Sequence, residues 1–265
     1  MLLPNKTPAS KSPDILLTVA RRRVRDGFVV VTVLLLAAST LVKSMNVAWG
    51  NDYIFGLLRV LWVDAEGNLP TWFSSTLLLS GAALAFLIGF ARRSQHLPHA
   101  SWLILAGLVL GLSIDESASI HEISTGYAKS AGGFGLFPEG GTSFAWVVFA
   151  LPLIIVGSWY GARFLRTLDD PVRNRLGIGL AIWMTGVFGI EALTGQVVGL
   201  QTRNWTYLVL ATLEEGAEMT GAIVFIDGLL VQLSNHVGSV ALQFVHSYAA
   251  GMTDDDEIAV RGKIA

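Results

Sequence analysis

Two short acidic stretches interrupt otherwise apolar sequence, "DESASIHE" over 115–122 and "LEEGAEM" over 213–219, and a lone glutamate sits in "GIEALTG" over 189–195. Several carboxylates with one imidazole suit a hard or borderline divalent cation: Mg, Mn or Ca on oxygen ligands alone, Zn or Fe if the imidazole joins. The expected metal ligands are therefore Asp115, Glu116, His121, Glu191, Glu214 and Glu218. Glu122 and Glu215 are the expected catalytic bases toward a metal-activated water or toward O₂ chemistry. Known metal motifs are excluded by spacing. "HEIST" over 121–125 is not His-Glu-x-x-His, and His121 follows Glu116 by five residues, not the three of a di-iron Glu-x-x-His pair. With no cysteine in the chain, thiolate metal centres, disulfides and a cysteine nucleophile are excluded as well.

What must position these groups is a membrane bundle. The 265 residues are 52% hydrophobic and only 14% charged, and the mean hydropathy is +0.57, outside the range of soluble domains. Six apolar runs, at 27–46, 72–91, 101–120, 144–164, 176–198 and 209–231, each approach the roughly 20 helical residues that cross a bilayer. The first, "FVVVTVLLLAASTLV", reads as an uncleaved anchor, not a signal peptide. With the N-terminus inside, only Lys43, Arg59, Lys129 and Arg203 of the 18 Lys and Arg fall outside. That is the positive-inside pattern for an all-α, six-span bundle with both termini cytoplasmic. The expected organisation is a basic tail over 1–26, the transmembrane domain over 27–231, and an interfacial segment with an acidic tail over 232–265. A seventh span inside 232–250 is the rival reading, disfavoured by Asn235, His236 and Gln243. The linker over 51–70 reads as an amphipathic surface segment presenting Ile54, Phe55, Leu58 and Leu61 to lipid or protein. The glycine-rich loop "AKSAGGFGLFPEGG" over 128–141 lacks the Gly-Lys-Ser/Thr ending of a phosphate cradle.

A helical rise of about 1.5 Å per residue converts position into depth. Asp115, Glu116, Glu191, Glu214, Glu215, Glu218 and Lys43 then share one slab in the outer half of the membrane. Glu214, Glu215 and Glu218 span an arc of about 100°, so one face can present all three, while Asp115, Ser119 and Glu122 form a stripe on span three. Against these carboxyls stand Lys43, the expected counter-ion, and His121. Left ionised and unpaired, the excess would cost roughly 10 kcal/mol, so protons, water or a bound cation must relieve it. Plainer readings compete: Asp115 and Glu116 ending a short span, a wet helix mouth for the triplet, a packing hydrogen bond for Glu191, and Lys43 snorkelling outward. Gly177, Gly179, Gly186 and Gly189 in span five and Gly216 and Gly221 in span six are expected at close helix contacts.

"PTWFSSTLLL", "DESASIHE", "EALTG" and "LEEGAEMTGAIVF", in this order, resemble a group of uncharacterised bacterial multi-pass membrane proteins, over about 60–231. The resemblance implies a six-span inner-membrane protein and marks the same carboxylates, with no activity to carry over. Three functions fit the residues. One is an intramembrane metalloenzyme, a hydrolase or oxidase, acting on a lipid or apolar substrate. Another is a cation or proton transporter using Asp227 as an inner relay. The last is a non-catalytic subunit joined to a membrane protein partner. A net charge of −2 argues against a nucleic-acid partner.

Overall fold

A computed structural model describes residues 20–130, 146–198 and 203–236. Among the described residues every regular element is helical. In chain order these are α1 (Arg21–Trp49), a 3-10 turn (Ile54–Gly56), α2 (Leu57–Leu61), α3 (Leu69–Ser94), α4 (Ala100–Ala118), α5 (Ile120–Ser130), α6 (Val147–Leu165), α7 (Asp170–Met184), a π-helical segment (Thr185–Ile190), α8 (Glu191–Val198) and α9 (Trp205–His236). Five helical stretches are long and apolar enough to cross a membrane: Arg21–Trp49, Leu69–Ser94, Ala100–Ala118, Asp170–Gly195 and Trp205–Asn235. The run expected as span four coincides with α6 but is shorter, Ala150–Leu165 in its apolar part. Residues 20–26 of the expected N-terminal tail belong to the described chain, with α1 starting at Arg21, and 232–236 continue α9; residues 1–19, 237–265 and most of the glycine-rich loop lie outside the described residues.

α9 is the axis of the bundle, with α1, α3 and α7 against it and α4 carried on α3. The closest contact is between α7 and α9, and glycine makes it. A Cβ on Gly179 would meet the Phe225 nitrogen at 2.6 Å, and one on Gly221 would meet the Trp183 nitrogen at 2.6 Å. Gly186 faces Glu218 Cγ at 2.8 Å and Gly228 faces the Leu176 side chain at 2.9 Å, whereas Gly177 has nothing within 4 Å. The contacting glycines are therefore seven residues apart on each side, Gly179 and Gly186 against Gly221 and Gly228, and Gly228 joins the expected set while Gly177 leaves it.

Ala85, Ile88, Trp102, Val172, Leu176 and Leu229 form an apolar core at the arginine-rich end. Higher up, Leu35, Phe73, Leu77, Met219, Ile223 and Ile226 form a second one. Beneath it Asp227 is clamped by Arg21 at 3.1 Å and Arg175 at 3.0 Å.

The linker between α1 and α3 is built against the bundle. Ile54 is buried, Phe55 is 86% exposed, and Leu58 and Leu61 are half-buried. Trp62 and Val63 are buried in a third apolar cluster with Tyr207 and Ala211. The Val63 amide donates to the buried Ser39 hydroxyl at 3.0 Å. The Asn68 side chain caps α3 by accepting from the Thr71 amide at 3.1 Å and donates to the Trp62 carbonyl at 2.6 Å, with Pro70 in the first turn. The segment 62–68 is thus a fixed loop at the acidic end.

Candidate functional site

Two local breaks in helix geometry set the acidic groups in place. Ser119 turns into the left-handed region, φ +53°, and ends α4 two residues before His121. The stripe expected for Asp115, Ser119 and Glu122 on one continuous helix is therefore not formed. Instead α5 folds back so that Asp115 accepts from the His121 amide at 2.9 Å and meets His121 Nδ1 at 3.1 Å. Glu122 is left exposed. The second break is the π-helical segment Thr185–Ile190, whose wide turn precedes Glu191; such bulges occur often at functional sites. Trp146 Nε1 donates to Glu191 Oε1 at 2.9 Å.

The loop over 62–68 adds two acids that the sequence reading passed over, Asp64 and Glu66. Glu66 accepts from the Ser119 hydroxyl at 2.9 Å and stands 3.7 Å from His121 Nε2. His121 thus bridges Asp115 and Glu66. The hydrogen-bonded Asp115 carboxylate holds the imidazole up at about 9 against the opposing effect of burial. In this arrangement both nitrogens of His121 are directed at carboxylates, which favours the protonated imidazole in the metal-free chain. Burial pushes the Glu66 carboxyl above its ordinary value. It does the same to Asp64, although Asp64 accepts a hydrogen bond from the Tyr207 hydroxyl. The signal for these two acids was available: "VDAEGN" places them next to a capped, proline-started helix at the height of the slab.

Lys43 is buried, with its ammonium 4.7 Å from the Trp62 ring centre and 5.7 Å from that of Tyr207. The acids that act on it are Asp64 and Asp52, with Arg203 opposing as a like charge, and not the glutamates of α9. Glu214 is buried and accepts from the Thr194 hydroxyl at 2.7 Å. Glu116, Glu215 and Glu218 remain. Among the described residues none of these three has a hydrogen bond or ion pair. Their electrostatic neighbours are mostly acids: Glu66 and Asp115, with His121, around Glu116; Glu218, Glu116, Asp64 and Glu214 around Glu215; Glu116, Glu214, Glu191 and Glu66 around Glu218.

A narrow cleft with a volume of about 10 Å³, room for about one water, lies where α3, α4, α7 and α9 diverge, lined by Ser74, Leu77, Leu78, Glu116, Trp183, Glu218, Met219 and Ala222. As the side chains stand, no three His, Asp or Glu among the described residues are disposed to hold one metal ion. Glu116 of α4 and Glu191 of α8 are electrostatic neighbours of Glu218 on α9.

A bundle of apolar helices of this length, enclosing carboxylates among its helices, has the form of a multi-pass membrane protein. The chain belongs to the family described as a domain of unknown function, DUF8692, whose profile matches residues 20–233. No curated protein and no solved structure matches it.

Proposed function

We propose that the chain is a six-span protein of the bacterial inner membrane with both termini cytoplasmic. In this reading α6 is the sixth span, and a divalent cation is held in the outer half of the bilayer among Glu116, Glu215 and Glu218. One observation carries it: Glu116 and Glu218 line one cleft, Glu215 lies on the same arc of α9 as Glu218, and none of the three has a partner among the described residues, in a setting where unpaired charge is costly. A divalent ion with oxygen ligands balances them and needs only side-chain rotation to gather them. Glu66 and Glu191 stand at the rim as further oxygen donors.

Binding with local chemistry fits better than transport. Below Glu218 the path toward Asp227 is filled by Leu77, Met219, Ile223 and Ile226, all nearly devoid of exposed surface. Asp227 itself is committed to two arginines. An ion entering from outside meets a floor, as expected for an intramembrane metal-dependent enzyme.

Elemental analysis of the purified protein tests this. A near-stoichiometric amount of one divalent metal is expected, falling at least tenfold in a Glu215→Gln, Glu218→Gln double variant of unchanged helical content. A folded protein without metal, before and after incubation with Mg, Ca, Mn, Fe or Zn, overturns the reading.

A further inference from the structure

One hydroxyl on α3 stands apart from the rest. The helix carries Thr71, Ser74, Ser75, Thr76, Ser80 and Ser94, and all but Ser74 are hydrogen-bonded through their hydroxyls. Thr71 donates to the Ala65 carbonyl and the Asn68 side chain, both at 3.1 Å. Ser75 and Ser113 exchange hydroxyl-to-carbonyl bonds between α3 and α4, each at 2.9 Å. Thr76, Ser80 and Ser94 donate back to carbonyls of the preceding turn. That last bond is open to any helical serine, yet Ser74 makes none among the described residues, although it is only 9% exposed. A buried hydroxyl without a bond is costly.

Helical phase turns Ser74 toward the cleft. Ser74, Leu77 and Leu78 stand at spacings of three and four and share one face, and all three line the cleft with Glu116 of α4 and Glu218 of α9. Three oxygen-bearing side chains, each without a hydrogen bond of its own, therefore border a space of about 10 Å³, the room of about one water. The remainder of the wall is aliphatic or aromatic. Such a space admits one atom-sized occupant and no hydration shell around it.

We infer, resting on the cation site proposed above, that Ser74 is a neutral oxygen ligand of that cation and that the cleft selects an ion of low coordination number, Zn over Ca or Mg. A hydroxyl lone pair adds a ligand without adding to the excess of carboxylates, which suits a site at membrane depth. Ca takes about six to eight oxygens, and Mg keeps several of its waters. Zn is content with about four ligands, and Glu116, Glu218 and Ser74, with Glu215 on the same arc of α9, supply that number.

Direct ligation is read with Co(II), the usual spectroscopic stand-in for Zn. The chain has no cysteine, so Ser74→Cys places a single thiol at the cleft. On addition of Co(II) this variant should develop a sulfur-to-metal charge-transfer absorption, absent from the unaltered protein, from Ser80→Cys, and from Ser74→Cys combined with Glu116→Gln and Glu218→Gln. Ser74→Ala should weaken Zn binding at least tenfold. In chelator it should leave the midpoint of thermal denaturation unchanged or raised, because the hydroxyl it removes has no partner. Zn bound to the unaltered protein should survive a large excess of Ca or of Mg. If the unaltered protein binds Zn but Ser74→Cys shows no charge-transfer absorption, or Ser74→Ala binds Zn equally well, the ligand role of Ser74 is overturned while the cation site stands. A lowered midpoint for Ser74→Ala in chelator assigns the hydroxyl to packing and overturns that role too. Displacement of Zn by Ca or Mg overturns the choice of ion, and an unaltered protein that takes up no divalent metal overturns the cation site together with its ligand.

Discussion

At the scale of single residues, glycine and glutamate decide most of what is specific to this bundle. Interhelical contact in lipid gains little from hydrophobicity, so close approach of backbones matters more than in water. Gly179 and Gly221 allow it between α7 and α9. Gly179→Ala is expected to destabilise the protein by about 1–3 kcal/mol, because the new methyl group meets backbone atoms at 2.6 and 2.8 Å. Gly177→Ala, with open space around it, is expected to gain about 0.5–1 kcal/mol from helix propensity. Thermal denaturation of the two variants in one detergent should move the midpoint in opposite directions. Equal shifts would show that α7 and α9 are not in the contact described. Among the glutamates, Glu214 has its own donor in Thr194 and belongs to the packing. Glu215 and Glu218, on the same arc, do not.

At the scale of elements, the 62–68 loop and the α4–α5 break are coupled through His121. The imidazole titrates near 9 in the folded protein against about 6.5 for a free histidine. Since the folded value is the raised one, the ion pairs contribute in full below about 6.5 and are lost as pH rises through about 9. Hydrogen exchange in the loop, corrected for its intrinsic pH dependence, should therefore accelerate between pH 8 and pH 10, and the acceleration should vanish in His121→Gln. A loop equally protected at both ends of that range would show that other contacts hold it, among them the Ser39, Asn68 and Thr71 hydrogen bonds. The π segment is the other coupled element: its extra residue per turn lets Gly186 pass behind Glu218 while Glu191 reaches Trp146.

For the whole molecule, the arginines and the acids define opposite ends. Arg21, Arg92, Arg163, Arg166 and Arg175 gather at one end. The 62–68 loop, α5 and the start of α9 gather at the other. The chain has no cysteine, so single cysteines report topology without background. Arg59→Cys in intact cells should react with a membrane-impermeant thiol reagent, and Ser94→Cys only after the membrane is opened. The reverse pattern would invert the bundle and place the acidic cleft on the cytoplasmic half.

The sequence by itself determined the helical architecture and the approximate ends of the apolar runs. Hydropathy and a fixed rise per residue are local properties, and they add up without reference to neighbours. It could not reveal that Ser119 breaks the third run, since a single left-handed residue leaves no periodic trace. Nor could it show that Lys43 turns to Trp62 and Tyr207, or that a loop brings Asp64 and Glu66 into the acidic group. Those facts depend on which faces meet, and only the packing of α4, α6, α7 and α9 separated the partnered carboxylates from the unpartnered ones.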